Sequence, residues 1–341
     1  MSAGLMLSRH GEALFWAGRY LDRAQGTVRL LDVTYHSQIE ADLREARRAW
    51  RELLEVLFQD EAYRGTYDVI AADSVNEFLV LRRDNTASVR SSIRRVRENA
   101  RSVRELLSPD LWLAINDLHL GIESRDARTE LEQHPWQLYN DIRRGCQTVL
   151  GVALETMPRT DGWRFFMLGA LLERAEMTCR LLEVYLGRTS AEDPVAAPNL
   201  TRVLESASAT AAYLRDFSAT SDAADVVSFL LLSRTFPRSV ASCLQGAEDH
   251  LAGLETEMST PSTPLRLLGR LRAELQFLDP AEMASLDLAS FLDRLQADAL
   301  EISAAIGERF FSGDETELQL QEWRGGPNVG VAELADLPGY R

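Results

Sequence analysis

From Leu14 onward, apolar residues fall at positions 14, 17, 21, 24, 28, 31 and 35, in alternating steps of three and four. That spacing is the seam of a long packed helix. No proline interrupts residues 12–59, so the segment reads as one bent helix, or as two with a break near Tyr35–Gln38. Further helices are predicted around 66–82, from DNTAS (84–88) to about Leu107, at 110–123, from Pro135 to about Thr156, and at Trp163–Leu186. Beyond GRTSAEDPVAAPN (187–199) the pattern resumes at about 199–218, 222–233, 237–258, 262–277, 280–285 and 287–311. No stretch alternates with a convincing period of two. The predicted class is all-α, a long-helix antiparallel bundle. The expected organisation is an N-terminal helical unit over 1–186 and a linker at 187–199. A C-terminal helical unit over 200–323 packs on the first, and a loose glycine-rich tail follows at 324–341.

The chain repeats itself. Residues 15–33 and 166–184 align at a constant offset of 151, with identities that include Phe15/Phe166, Gly18/Gly169, Arg23/Arg174 and Arg29/Arg180. Asp22/Glu173 and Asp32/Glu183 match in charge. This is more than a shared helical pattern requires, and it predicts two pseudo-symmetric repeat units. The matched positions occupy three sides of a helix that turns about 100° per residue. Leu21, Ala24, Val28 and Leu31 form one stripe. Phe15, Gly18, Asp22 and Arg29 form a second, and Arg23, Thr27 and Leu30 a third. A helix constrained on three sides is expected to be surrounded by protein, with Gly18 and Gly169 permitting close approach.

Burial gives the charged positions weight, because an unpaired buried charge is costly. Two readings of Arg19, Asp22, Arg23, Arg29, Glu173, Arg174, Glu176 and Arg180 stand side by side. One is a structural network, with Asp22 and Arg29 meeting Glu173 and Arg180, that locks the units together. The other is a polar pocket whose arginines bind a carboxylate or phosphate. Glu173 and Glu176 have the i, i+3 spacing of two metal ligands, but the arginines beside them favour ion pairing. A second arginine-rich face comprises Arg94, Arg97, Arg101 and Arg104, with Asn85 and Asn99 as neutral donors. It reads either as a solvated face or as an anion-binding or partner-docking surface. Arg238 in FLLLSRTFPRSV (229–240) joins that second tier, while Pro237 and Ser239 read as capping and packing.

Composition narrows the chemistry further. The 341 residues carry a formal net charge of −15, which argues against a nucleic-acid or anionic-membrane partner for the whole protein. The chain contains no lysine. That excludes a phosphate loop ending in Gly-Lys, a Schiff-base lysine and a kinase-type lysine. Cys146, Cys179 and Cys243 lie far apart, which fits a reduced, cytoplasmic protein. No signal peptide or membrane span is expected from the opening residues or the apolar runs. His10, His36, His119, His134 and His250 lack tight ligand spacing, so no metal and no cofactor are expected.

The opening MLSRHGEALFWAGRYLDRAQGTVRLLDVTYH resembles the start of the bacterial alpha-E domain, an all-helical family named for its Glu-Arg motif. RENARSVRELL (97–107), WRFFMLGALLERAEMTCRLLEVYL (163–186) and FLLLSRTFPRSV (229–240) resemble later family segments in the same order. Asp22 stands where the family usually shows Glu, and Ala170 where an arginine often follows the second glycine. Arg19 therefore has no counterpart in the second copy. The resemblance implies association with a circularly permuted ATP-grasp protein, and with a transglutaminase-like protein nearby. It thus implies an accessory or substrate-handling role in ATP-dependent amide or peptide ligation. Two other classes stay open: an enzyme in its own right, such as an acyl or aminoacyl transferase, and a purely structural interaction module. A homo-oligomer is compatible with either.

Overall fold

The computed structural model describes residues 8–38, 41–124, 127–187, 196–217, 222–255, 260–279 and 287–311. The tail at 324–341, the predicted helix at 280–285 and most of the linker lie outside the described residues. Among those described, the regular structure is helical throughout. The helices are α1 (Ser8–Ser37), α2 (Leu43–Val56), α3 (Asp60–Arg64), α4 (Ala72–Asn76), α5 (Val89–Ser102), α6 (Pro109–Ser124), α7 (Ala127–Gln133) and α8 (Pro135–Thr156). They continue with α9 (Asp161–Leu182), α10 (Ala196–Ser206), α11 (Thr210–Asp216), α12 (Ala223–Leu232), α13 (Val240–Leu254), α14 (Thr263–Phe277) and α15 (Leu288–Phe310). α4 and α9 each run on into a π-helical turn, Glu77–Leu81 and Glu183–Gly187.

α1 is the axis of the molecule. Every residue from Ala13 to Leu31 is buried, charged ones included. α9 lies against it, and α5 and α8 cover its other sides. Neighbours in sequence run antiparallel, as short connections require. Arg97 of α5 reaches Asn116 of α6, while Arg90 reaches back to Glu123. The central pair departs from the expected antiparallel arrangement. Contacts ascend together along both helices, Gly11 on Phe165, Gly18 on Phe166 and Gly26 on Met177, so α1 and α9 run parallel. More than a hundred residues separate them in the sequence, and no short loop constrains their direction.

Two glycines set the spacing of that pair. A Cβ on Gly18 would stand 2.0 Å from the Phe166 carbonyl oxygen, and one on Gly169 would stand 2.0 Å from the Phe15 carbonyl oxygen. Backbone meets backbone there.

The helix predicted at 199–218 is two helices. Ser208, at φ 53°, breaks it in the left-handed region, and Phe58, at φ 52°, does the same between α2 and α3. Hydrophobic periodicity is blind to such a break, because the next helix resumes the same apolar face. The two breaks share their surroundings. Tyr63 stacks on Tyr67 and meets Phe78 edge-on; Tyr213 stacks on Phe217 and meets Phe229 edge-on.

Ser88 and Ser239 cap α5 and α13, each accepting a backbone N–H three residues on. Each hydroxyl also donates to a carbonyl six residues back, Arg82 and Ser233 respectively. Ser88→Ala and Ser239→Ala should each cost about 0.5–2 kcal/mol, read as a lower midpoint in urea unfolding. The two effects should be of similar size, since each hydroxyl has a single proton to donate.

Candidate functional site

The parallel contact of α1 and α9 brings the predicted charged residues together. Glu173 is fully buried and receives two arginines. Arg23 grips it as a fork, Nε on Oε1 at 2.7 Å and Nη2 on Oε2 at 3.0 Å. Arg19 adds Nε on Oε2 at 3.1 Å. Its remaining nitrogens reach Glu176 Oε1 at 2.5 Å and the Ser303 hydroxyl of α15 at 3.3 Å. Burial alone would raise the Glu173 carboxyl, but Arg23 and Arg19 outweigh it and hold the group well below its ordinary value. For Glu176 burial wins, helped by Glu173, and its carboxyl is pushed up despite Arg19. Arg180 lies beside both acids, its Nε donating to the Glu176 carbonyl at 3.4 Å.

A second cluster forms around Asp22. Arg174 donates Nε and Nη2 to Asp22 Oδ1, at 3.1 and 2.7 Å. Burial would raise Asp22, but Arg174, Arg238 and Arg29 together hold it down. Asp22 in turn raises Arg174. Arg29 is 5% exposed, and its Nε has no partner among the described residues. Burial, and next the charge of Arg238, lower it well below an ordinary arginine, against the pull of Asp22. Arg238 is lowered chiefly by burial as well.

The pairing differs from the expected network in its partners. Asp22 pairs with Arg174, and Glu173 with Arg19 and Arg23; Arg29 pairs with neither acid. The register of two helices decides which acid meets which arginine, and the Gly18 and Gly169 contacts set that register. Arg238 was placed with the α5 arginines and lies instead beside Asp22, carried there by the turn before α13. Sequence reasoning missed Ser303, and it missed the aromatic lining in which Phe15 and Trp16 flank the Arg19 guanidinium, both at 5.7 Å. The i, i+4 and i, i+3 spacing to Arg19 was a usable signal for the rings; Ser303 had none.

The α5 surface disperses. Arg97 bonds Asn116 and lies over Trp112, and Arg104 covers the same ring at 4.9 Å. Asn99 donates to the Arg95 carbonyl within its own helix. Asn85 bonds the Phe78 carbonyl and the Ala87 amide, which makes it a loop brace. Arg101 is exposed. Arg83, Arg90, Arg94 and Arg97 line a groove of about 260 Å³ with Glu98, His119 and Glu123.

All three cysteines are buried and free. Burial pushes Cys146 and Cys243 up to about 12 and Cys179 higher still. A thiol reagent should therefore label no cysteine in the folded protein and all three after denaturation. Rapid labelling of the native chain would contradict that burial. Among the described residues, no three His, Cys, Asp or Glu side chains come together to hold a metal ion. No helix there is long and apolar enough to cross a membrane.

The helices, and the buried acid–arginine pairs on α1 and α9, agree with a family model that matches residues 6–311, described as a predicted alpha-helical domain with a conserved ER motif. The chain belongs to the Alpha-E family. Similar curated proteins include an uncharacterized protein of Mycobacterium bovis and uncharacterized proteins of two Mycobacterium tuberculosis strains. Each is 26% identical over 311 residues, which cover 86% of this chain and 34% of the relative. This Alpha-E chain thus spans about a third of the length of the curated relatives it matches. No solved structure matches it. In this Alpha-E domain the adjacent acid–arginine pairs are Glu173–Arg174 and Asp22–Arg23, and each arginine reaches the acid of the other pair.

Proposed function

We propose that this Alpha-E chain is an accessory or substrate-handling subunit of an ATP-grasp-dependent amide or peptide ligation system, whose arginine–carboxylate core receives an anionic group. The observation that carries the anion-holding role is the buried surplus of guanidinium. Among the described residues, Arg19, Arg23, Arg29, Arg174, Arg180 and Arg238 gather around the carboxylates of Asp22, Glu173 and Glu176 at the α1–α9 contact. Arginine stays protonated and presents a planar fork matched to carboxylate and phosphate. The accessory role draws support from the relatives, in which the matching stretch is only a third of the chain.

The same reading treats the chain as two related units joined about a pseudo-twofold axis, residues 8–157 and 161–311. Its support is the reciprocal glycine contact, the crossed acid–arginine pairs and the matching Phe58 and Ser208 turns. The unit boundary then falls before α9, and the linker at 187–199 lies inside the second unit.

Co-expression with a circularly permuted ATP-grasp protein is the direct test. The accessory reading expects a stable complex on gel filtration, with ATP-dependent ligation faster when the helical chain is present. If the isolated chain converts aminoacyl or phosphorylated donors unaided, and Arg23→Ala abolishes this at an unchanged melting temperature, the chain is an enzyme and the reading fails.

A further inference from the structure

The two ends of the core are not balanced alike. Around Glu173, three arginines from α1 and α9 share two carboxylates, Glu173 and Glu176. Around Asp22, three arginines share one. The sequence offset explains the difference. Arg19 and Glu176 at the first end correspond to Ala170 and Gln25 at the second, a matched loss of one cation and one anion. Arg238, however, corresponds to Ala87. The Asp22 end gains a cation that its counterpart lacks.

Arg174 takes Asp22 for itself through two hydrogen bonds to Oδ1. Arg29 is 95% buried by the complement of its exposure, and it forms no ion pair with any described residue. Arg143, whose charge also bears on Arg29, pairs with Asp32 at 3.6 Å. Among the described residues, three guanidinium groups there stand against one carboxylate, an excess of two positive charges. A buried charge without a counter-ion is strongly destabilising, and an arginine cannot shed its proton to escape that cost.

We infer that the Asp22 end of the core is a specific site for a dianionic tetrahedral oxyanion, free phosphate or the phosphoryl group of a larger molecule, held by Arg29 and Arg238. This rests on the reading that the core receives an anion, and it names where and of what charge. Arg29 comes from α1 and Arg238 from the half-buried turn before α13, whose Pro237 and Arg238 carbonyls accept from Arg174 and Thr178 of α9. A dianion restores neutrality there, whereas a carboxylate leaves one charge uncovered. Arg174 stays on Asp22 and fixes the α9 side.

The probe is inorganic phosphate, followed by thermal melting against sodium chloride at matched ionic strength. Millimolar phosphate should raise the wild-type melting temperature by about 2–4 °C, and acetate should not. Arg238→Gln should weaken the phosphate response roughly tenfold in concentration, the loss of one charge-assisted contact. Arg29→Met should raise the melting temperature in phosphate-free buffer and abolish the response. A matched phosphomonoester that acts like phosphate marks a site open to a phosphorylated molecule; a response to phosphate alone marks the free ion. An unchanged response in both Arg29→Met and Arg238→Gln overturns the assignment. So does a phosphate response lost in Arg180→Gln but kept in Arg238→Gln, which moves the anion to the Glu173 end and preserves the broader reading. No phosphate-specific rise in the wild type overturns both. Arg238 lies on a turn, so its variant carries the test whether or not Arg29→Met folds.

Discussion

Glu173→Gln is expected to destabilise the protein by about 3–5 kcal/mol, a large share of the roughly 5–15 kcal/mol that holds a folded protein together. Glu173 is a fully buried carboxylate that two buried arginines share, with Arg23 on both oxygens and Arg19 on one. All of these contacts are buried. The amide keeps the shape but not the charge, and its NH₂ turns a donor toward guanidinium donors. Arg23 then loses its anion, and Arg19 is left with Glu176 alone. Glu176→Gln is the contrasting case. Only Arg19 bonds its side chain, and Oε2 has no partner among the described residues. Burial and Glu173 already disfavour its charge. The amide oxygen still accepts from Arg19, and a repulsion is removed. Chemical denaturation of the two variants should therefore separate widely, with Glu176→Gln close to the parent. Equal midpoints for the two would mean that the network is not organised around Glu173.

Gly169→Ala should cost about 3 kcal/mol or more, and Gly18→Ala a similar amount. Overpacking of a core ordinarily costs about 1–3 kcal/mol, and both sites are worse than ordinary. The added methyl meets a backbone carbonyl oxygen of the partner helix at 2.0 Å, so no side chain can rotate away. The helices must separate or slide, and sliding pulls Arg23 off Glu173 and Arg174 off Asp22. Helix propensity works in the opposite direction, since alanine is favoured over glycine by about 1 kcal/mol in a helix interior. Gly151→Ala supplies the control. It lies within α8, and nothing stands within 4 Å of its added Cβ. That change should be neutral or slightly stabilising. Thermal melting of the three variants would show opposite signs; a Gly169→Ala protein as stable as the parent would mean that α1 and α9 are not in backbone contact.

These two expectations mark the division between what was legible in the sequence and what was not. The helical class and the all-round burial of α1 followed from spacing and repetition, whereas a break near Tyr35–Gln38 was one of two open readings. A residue's neighbours at i±3 and i±4 decide helix formation, and three constrained faces leave none for water. The offset of 151 also placed the charged residues in two matched sets, on two helices expected to meet at Gly18 and Gly169. Local pattern could not say how those helices run or how deeply they cross. α1 and α9 pack in parallel, at a separation set by carbonyl contacts across more than a hundred residues of sequence. That geometry determines the pairs. It gives Glu173 to Arg19 and Arg23, gives Asp22 to Arg174, and leaves Arg29 without an acid among the described residues. It brings Arg238 to Asp22 from a distant turn and Ser303 to Arg19 from α15. The α5 arginines Arg90, Arg97 and Arg104 meet Glu123, Asn116 and Trp112 of α6. Burial of these charges was written into the order of residues. Their balance was decided only when the two helices met, because the charge of a buried cluster is a sum over neighbours that the chain order does not contain.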